Sequence, residues 1–176
     1  YISVTGVQTC ALPIFEQVKK TIHTSNLGLG AQDVSDHPYG AYTGDVSANM
    51  LKDFDCRYVI IGHSERRQYH QETDALIARK AKAALLADIT PIICVGETEE
   101  ERNQQKTVQI VRKQLQTVLD LLQTQISKCI IAYEPVWAIG TGQTPTADEA
   151  QEVHRELRLQ LAKFRSEEHT SELQSH

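Results

Sequence analysis

The sequence predicts an α/β fold on a parallel sheet, and three of its features carry that expectation. Four apolar runs of strand length recur, at residues 27–32, 58–62, 91–95 and 129–133. They are rich in Ile, Val or Cys and, where the pattern is clear, lack polar alternation, as suits strands covered on both faces. Helical patterns separate them, and such alternation marks a parallel sheet. Residues able to do chemistry stand directly behind the runs: Asp33, then His63, Ser64, Glu65 and Arg66, then Gly96 and Glu97, then Glu134. In a closed barrel and in an open doubly wound sheet alike, the carboxyl ends of the strands share one face. These groups therefore converge on one rim. The alternation alone leaves both architectures open.

Taken in order, the elements have local causes. Ser47 can cap a short helix reaching Asp53. Behind the run at 58–62, Ser64, Glu65 and Arg66 can open another short helix. Residues 72–87 and 99–123 are rich in strong helix formers, with Leu, Ile and Val at three- and four-residue spacing. Residues 147–164 repeat that pattern. Thr98 with Glu101, and Thr146 with Glu149, have the spacing of capping boxes and place two helix starts.

Composition bounds the function. A chain of 176 residues has room for one ordinary domain. Its hydrophobic fraction of 40% and charged fraction of 23% are those of a globular protein, not a disordered one. No run approaches the roughly 18 apolar residues of a membrane span. The opening residues lack the basic leader of a secretory signal. A net charge of -5 without a basic stripe argues against nucleic acid as a partner. Cys10, Cys56, Cys94 and Cys129 are far apart and form no cluster with histidine at metal spacing, so reduced thiols and no metal are expected. No glycine-rich phosphate loop comes after any run, so a nucleotide cofactor has no visible seat.

Both ends read as foreign to the rest. The closing string RSEEHTSELQSH is polar and without period, and VTGVQTCALPI at 4–14 is equally unlike the body of the chain. Codons spelling RSEEHTSELQS have a reverse complement that, extended by one base, spells VTGVQTCALPI, and the string is that of a sequencing-library adapter. Residues 1–14 and 165–176 are therefore expected to be adapter-derived tails, with the natural message at 15–164. Such segments are set aside in fold reasoning.

At IGHSERR (61–67) and AYEPVWAIGTG (132–142) the sequence closely resembles the triosephosphate isomerase family. GAYTGDVS (40–47) and PIICVGE (91–97) fit the same family in the same order, and the match spans essentially all of 15–164. The resemblance implies a partial TIM (β/α)₈ barrel, this chain supplying strands three to six, about four of the eight strand-helix units. The first strand, with a catalytic lysine and asparagine, is then missing, as are the seventh and eighth with their phosphate-binding loops. It further implies a cytoplasmic homodimer that works without a cofactor in glycolysis and gluconeogenesis. Its small sugar-phosphate substrates would be dihydroxyacetone phosphate and glyceraldehyde 3-phosphate.

The matched residues take roles from the same resemblance. Glu134 is implied as the base that lifts a carbon-bound proton and returns it to the next carbon, work suited to a carboxylate screened from water. His63 is implied as the neutral electrophile that polarises the carbonyl; this family is the standing example of a neutral histidine in that role. Residues 135–146 are implied as a lid, with Trp137 and Ile139 as its apolar belly and the Gly140 amide on the substrate phosphate. Thr43 is implied at the tip of a loop entering the neighbouring subunit. Glu65, Arg66 and Arg67 read as supporting charges and Cys94 as core packing. Two other readings stay open: another phosphate-handling barrel isomerase or aldolase, and an inactive truncated product of a misassembled gene.

Overall fold

The computed structural model describes residues 12–174. Four parallel strands form one sheet in the order β1 (Gly30–Ala31), β2 (Tyr58–Ile61), β3 (Thr90–Val95) and β4 (Ile130–Tyr133). Register runs Tyr58 to Thr90, Ile61 to Ile93 and Val95 to Tyr133. The α/β expectation is met. β3 lies inside the sheet and is buried from Pro91 to Val95, whereas all four residues of β4, at one edge, are only half-buried. That contrast is what separates a covered strand from an edge strand.

The helices are α1 (Leu12–Ile22), α2 (Ala48–Asp53), α3 (Ser64–Tyr69), α4 (Asp74–Leu86), α5 (Glu99–Asn103), α6 (Thr107–Leu122) and α7 (Ala147–Gln174). The core lies between the sheet and α4 and α6. Val59, Ile61, Ile93 and Val95 meet Ile77, Ala81 and Ala84 from α4 and Val111, Leu115 and Leu119 from α6, all at most 1% exposed. Each large aliphatic side chain so covered contributes about 1.5–3 kcal/mol.

Caps set most helix ends. The Ser47 and Thr73 hydroxyls accept from Met50 and Leu76. The Thr98–Glu101 and Thr146–Glu149 boxes both close in each direction. Three helices end in the same way: Asp55, Asp88 and Gln105 adopt positive φ, and the next residue's N–H reaches back to Leu51, Ala84 or Glu101. This is the Schellman closure, with a non-glycine residue where glycine is usual.

Several expected boundaries are corrected. The run at 27–32 keeps only Gly30–Ala31 as strand, because its one described neighbour, β2, pairs there alone. The helix expected over 99–123 is two helices: Gln105 at φ 57 turns the chain after α5. The helix expected to end at Phe164 runs on through Gln174, with no Gly or Pro to stop it. α1 begins at Leu12. The remainder of the expected N-terminal tail, 1–11, lies outside the described residues.

Candidate active site

Two residues expected on the rim are in direct contact. Gly62, at φ 69, turns the chain out of β2, and a Cβ there would press on Ile77 at 3.0 Å. The turn makes His63 the N-cap of α3, with Nδ1 accepting the Glu65 N–H at 3.3 Å. Nε2 then faces Glu134 Oε1 at 2.8 Å. Glu134 leaves β4 directly, and its carboxylate also accepts the Ser64 N–H at 2.9 Å and the Ser64 hydroxyl at 2.7 Å. Its side chain is 15% exposed against 35% for His63. Both carboxylate oxygens are thus engaged, one by the backbone of α3 and one by two side chains.

The segment behind Glu134 is fastened from below. Glu97, 1% exposed, stands just past β3 and accepts from Trp137 Nε1 at 2.9 Å and from the Tyr133 hydroxyl, whose one proton is shared between its oxygens at 3.0 and 3.1 Å. Burial, then the negative charge of Glu97, holds the Tyr133 hydroxyl well above its usual pKa. The Arg102 guanidinium lies 3.6 Å above the Trp137 ring, within reach of cation–π attraction, and pairs with Glu149 past the segment's far end. Trp137 is buried, whereas Ile139 is 45% exposed. The 3-10 turn at Val136–Ala138 swings Trp137 inward and leaves Ile139 beyond its end. Gly140 and Gly142 come next at φ 70 and 75, and a Cβ at either would meet nothing within 4 Å.

A buried charge cluster lies on the other flank, and sequence reasoning missed most of it. Lys80 of α4 pairs with Asp33 at 2.7 Å and with Glu72, while Arg66 pairs with the same two carboxylates at 2.8 and 2.7 Å. Burial pushes Asp33 above the ordinary carboxylate range despite both cations. Burial also opposes ionisation of Glu72, yet the bonds from Lys80 and Arg66 outweigh it and hold Glu72 below its ordinary value. A cleft of about 750 Å³ runs from this cluster to His63, lined also by Glu65 and Tyr69.

The remaining expected residues have separate places. Arg67 ties the rim together, donating to the carbonyls of Gly62 and Cys94 and pairing with Asp74. Cys94 is buried, and burial followed by the charge of Glu134 pushes its thiol up to about 12, so it packs and does not attack. Thr43 is exposed on a turn closed by the Asp45 N–H on the Tyr42 carbonyl, with His37 stacked on Tyr42 at 3.9 Å. Among the described residues no His, Cys, Asp or Glu group has metal-binding geometry, and no helix is long and apolar enough to cross a membrane.

The rim can be set beside known proteins. A model of the triosephosphate isomerase family matches residues 4–174. The triosephosphate isomerase of Delftia acidovorans is 54% identical over 146 residues, covering 83% of this chain and 59% of its own. That of Paracidovorax citrulli is 56% identical over 146 residues, covering 83% and 58%. That of Endomicrobium trichonymphae is 49% identical over 172 residues, covering 94% and 69%. The chain thus spans between half and about seven-tenths of the length of these relatives. With the family matched over nearly its whole length, and imidazole meeting carboxylate at the carboxyl ends of a parallel sheet, this chain belongs to the triosephosphate isomerase family.

Proposed function

We propose that the His63–Glu134 site interconverts dihydroxyacetone phosphate and glyceraldehyde 3-phosphate in a complete enzyme to which this chain contributes about four of eight barrel units. One observation carries the reading. The Glu134 carboxylate, largely shielded from water, lies 2.8 Å from the His63 Nε2 on the shared strand rim. The sequential strand order, with no reversal among the described strands, supports a barrel over a doubly wound sheet.

Substrate has to enter between these groups, so Glu134 gives up its bonds to Ser64 and His63. Its carboxylate takes the proton from the carbon beside the carbonyl. The released electron pair forms the carbon–carbon double bond of an enediolate, and charge moves to the former carbonyl oxygen. The His63 N–H, aimed at that oxygen, stabilises it where charge develops. His63 gives its Nε2 proton to that oxygen and takes up the hydroxyl proton of the second, while Glu134 returns its proton to the neighbouring carbon, so the second oxygen becomes the carbonyl. Nothing is gained or lost, as an isomerisation requires. A group on Nε2 that donates without being charged leaves the enediolate basic enough to be reprotonated.

The segment 135–146 closes over the substrate, with the Gly140 amide on its phosphate, so that water and phosphate elimination are excluded. Thr43 belongs to the contact of a homodimer, and the enzyme serves glycolysis and gluconeogenesis in the cytoplasm without a cofactor. The natural message is 15–164; the flanking 1–14 and 165–176 are adapter-derived.

The test grafts residues 15–164 into the matching stretch of the Delftia acidovorans isomerase and assays dihydroxyacetone phosphate turnover. The graft should be active. Glu134→Gln should lower kcat by roughly 10²–10⁴, the loss typical of a general base, with KM little changed. A loss below tenfold removes Glu134 from the role.

A further inference from the structure

We infer that Gly96 and Gln114 form a positioning pair that sets where the Glu134 carboxylate stands. The inference rests on Glu134 being the base of the proposed reaction, and it gives Gly96 and Gln114 a role that the resemblance did not.

Gly96 is the first residue beyond β3. A Cβ placed on it would lie 1.7 Å from the Glu134 carbonyl oxygen and 2.8 Å from its carbonyl carbon. No side chain fits there. The reason is not backbone conformation, because Gly96 is not among the glycines at positive φ. It is close approach: the peptide leaving the base leans across Gly96 at a separation only glycine allows. The flanking residues keep the two segments in ladder contact, with the Glu134 N–H on the Val95 carbonyl at 2.8 Å and the Val136 N–H on the Glu97 carbonyl at 3.2 Å.

Gly96 faces away from that ladder with its own polar groups, at a level where β2 has already ended at Ile61. There the Gln114 carboxamide of α6 takes both. Gln114 Oε1 accepts the Gly96 N–H at 2.8 Å, and Gln114 Nε2 donates to the Gly96 carbonyl at 3.0 Å. These two bonds stand in for those a neighbouring strand would make. The carboxamide thus extends the sheet by one residue, just where Glu134 leaves it. Support passes stepwise: α6 holds Gln114, Gln114 holds Gly96, Gly96 holds the Glu134 peptide, and the side chain reaches Ser64 and His63. Catalytic groups need such support, because misplacement by about 1 Å can cost about 10²-fold.

Three variants test it. Gln114→Leu removes both bonds; Gln114→Glu keeps the acceptor for the Gly96 N–H but sets an anion against the Gly96 carbonyl; Gly96→Ala closes the approach. In the graft into the Delftia acidovorans isomerase, amide NMR should show the Gly96 and Ser64 resonances moving together in Gln114→Leu, since the Ser64 N–H reports the Glu134 carboxylate. The Ile93 amide, inside β3, should not move. Gln114→Glu should shift Ser64 by an intermediate amount. In the graft into the Delftia acidovorans isomerase, Gln114→Leu should lower kcat about tenfold or more with KM unchanged. Gly96→Ala should act more strongly, and if it does not fold the glutamine variants decide alone. A Ser64 resonance that stays put while Gly96 moves overturns the pair as a positioning device. Ser64 moving with kcat unchanged overturns instead the reading of Glu134 as the base.

Discussion

Replacing Lys80 by Met should cost this chain about 3 kcal/mol of stability. Lys80 and Glu72 are among the most deeply buried charges described, with side chains 6% and 2% exposed. Two cations, Lys80 and Arg66, face two carboxylates, Asp33 and Glu72. Methionine keeps most of the lysine stem's packing but leaves one guanidinium for two carboxylates. One Glu72 oxygen already lacks a hydrogen-bond partner. Removing one member of a buried ion pair typically costs about 3–5 kcal/mol. The lower end applies here, because Asp33 is 27% exposed and already raised by burial, so it can take up a proton in answer.

The assay is urea unfolding monitored by circular dichroism. With a slope of about 2 kcal/mol per molar, the midpoint should fall by about 1.5 M. Adding Glu72→Gln to Lys80→Met should recover a large part of that, since it removes the uncompensated charge. The pH dependence has a definite sign. Glu72 is held below its ordinary value of 4.5, so the stability it contributes is present above that pH and is lost as pH falls below it. Asp33, raised by burial, contributes in the opposite sense, favouring the fold as it gains a proton. In Lys80→Met the Asp33 effect should dominate, so the variant's deficit should shrink on mild acidification. A midpoint within about 0.3 M of the parent would refute the reasoning, as it would mean the charges are solvated.

Other parts of the molecule give three further outcomes. Gln105→Gly should raise stability by up to about 1 kcal/mol, because Gln105 holds the Schellman closure at φ 57 without the freedom of glycine; a loss in urea unfolding would contradict it. Trp137 is the single tryptophan, so its emission reports the Glu97 contact: Glu97→Gln should shift it to the red and cost about 1–3 kcal/mol, and an unchanged spectrum would remove Glu97 as the fastening. The chain as it stands should self-associate at micromolar concentration and turn over no dihydroxyacetone phosphate, because β1 and β4 are sheet edges in the described residues; light scattering from a stable monomer with turnover would sink this.

The sequence disclosed what is local and hid what is distant. Four apolar runs became four strands, and the Ser47, Thr98 and Thr146 caps start helices where their spacing places them. The break at Gln105 was missed because no Gly or Pro marks it, yet a signal existed: from Glu97 to Thr107 there is no apolar residue to hold a helical face on the core. The Lys80–Asp33 pairing spans 47 residues, and nothing local announces it. Trp137 and Ile139 look alike by hydropathy, and the turn at Val136–Ala138 decides which of them faces inward.

The candidate site divides along the same line. His63 and Glu134 stand out because chemistry-bearing residues come directly after apolar runs, and strand ends converge whatever the sheet's final closure. Their contact, however, depends on Ser64 offering both an N–H and a hydroxyl to one carboxylate from 70 residues away. Gly96 is quieter still, for a glycine after a strand looks like an ordinary turn until the Glu134 carbonyl is seen lying across it. The residues proposed to carry charge in the reaction are legible by type and place. Those proposed to hold them in place act through backbone approach and amide bonds, which leave no pattern in the sequence.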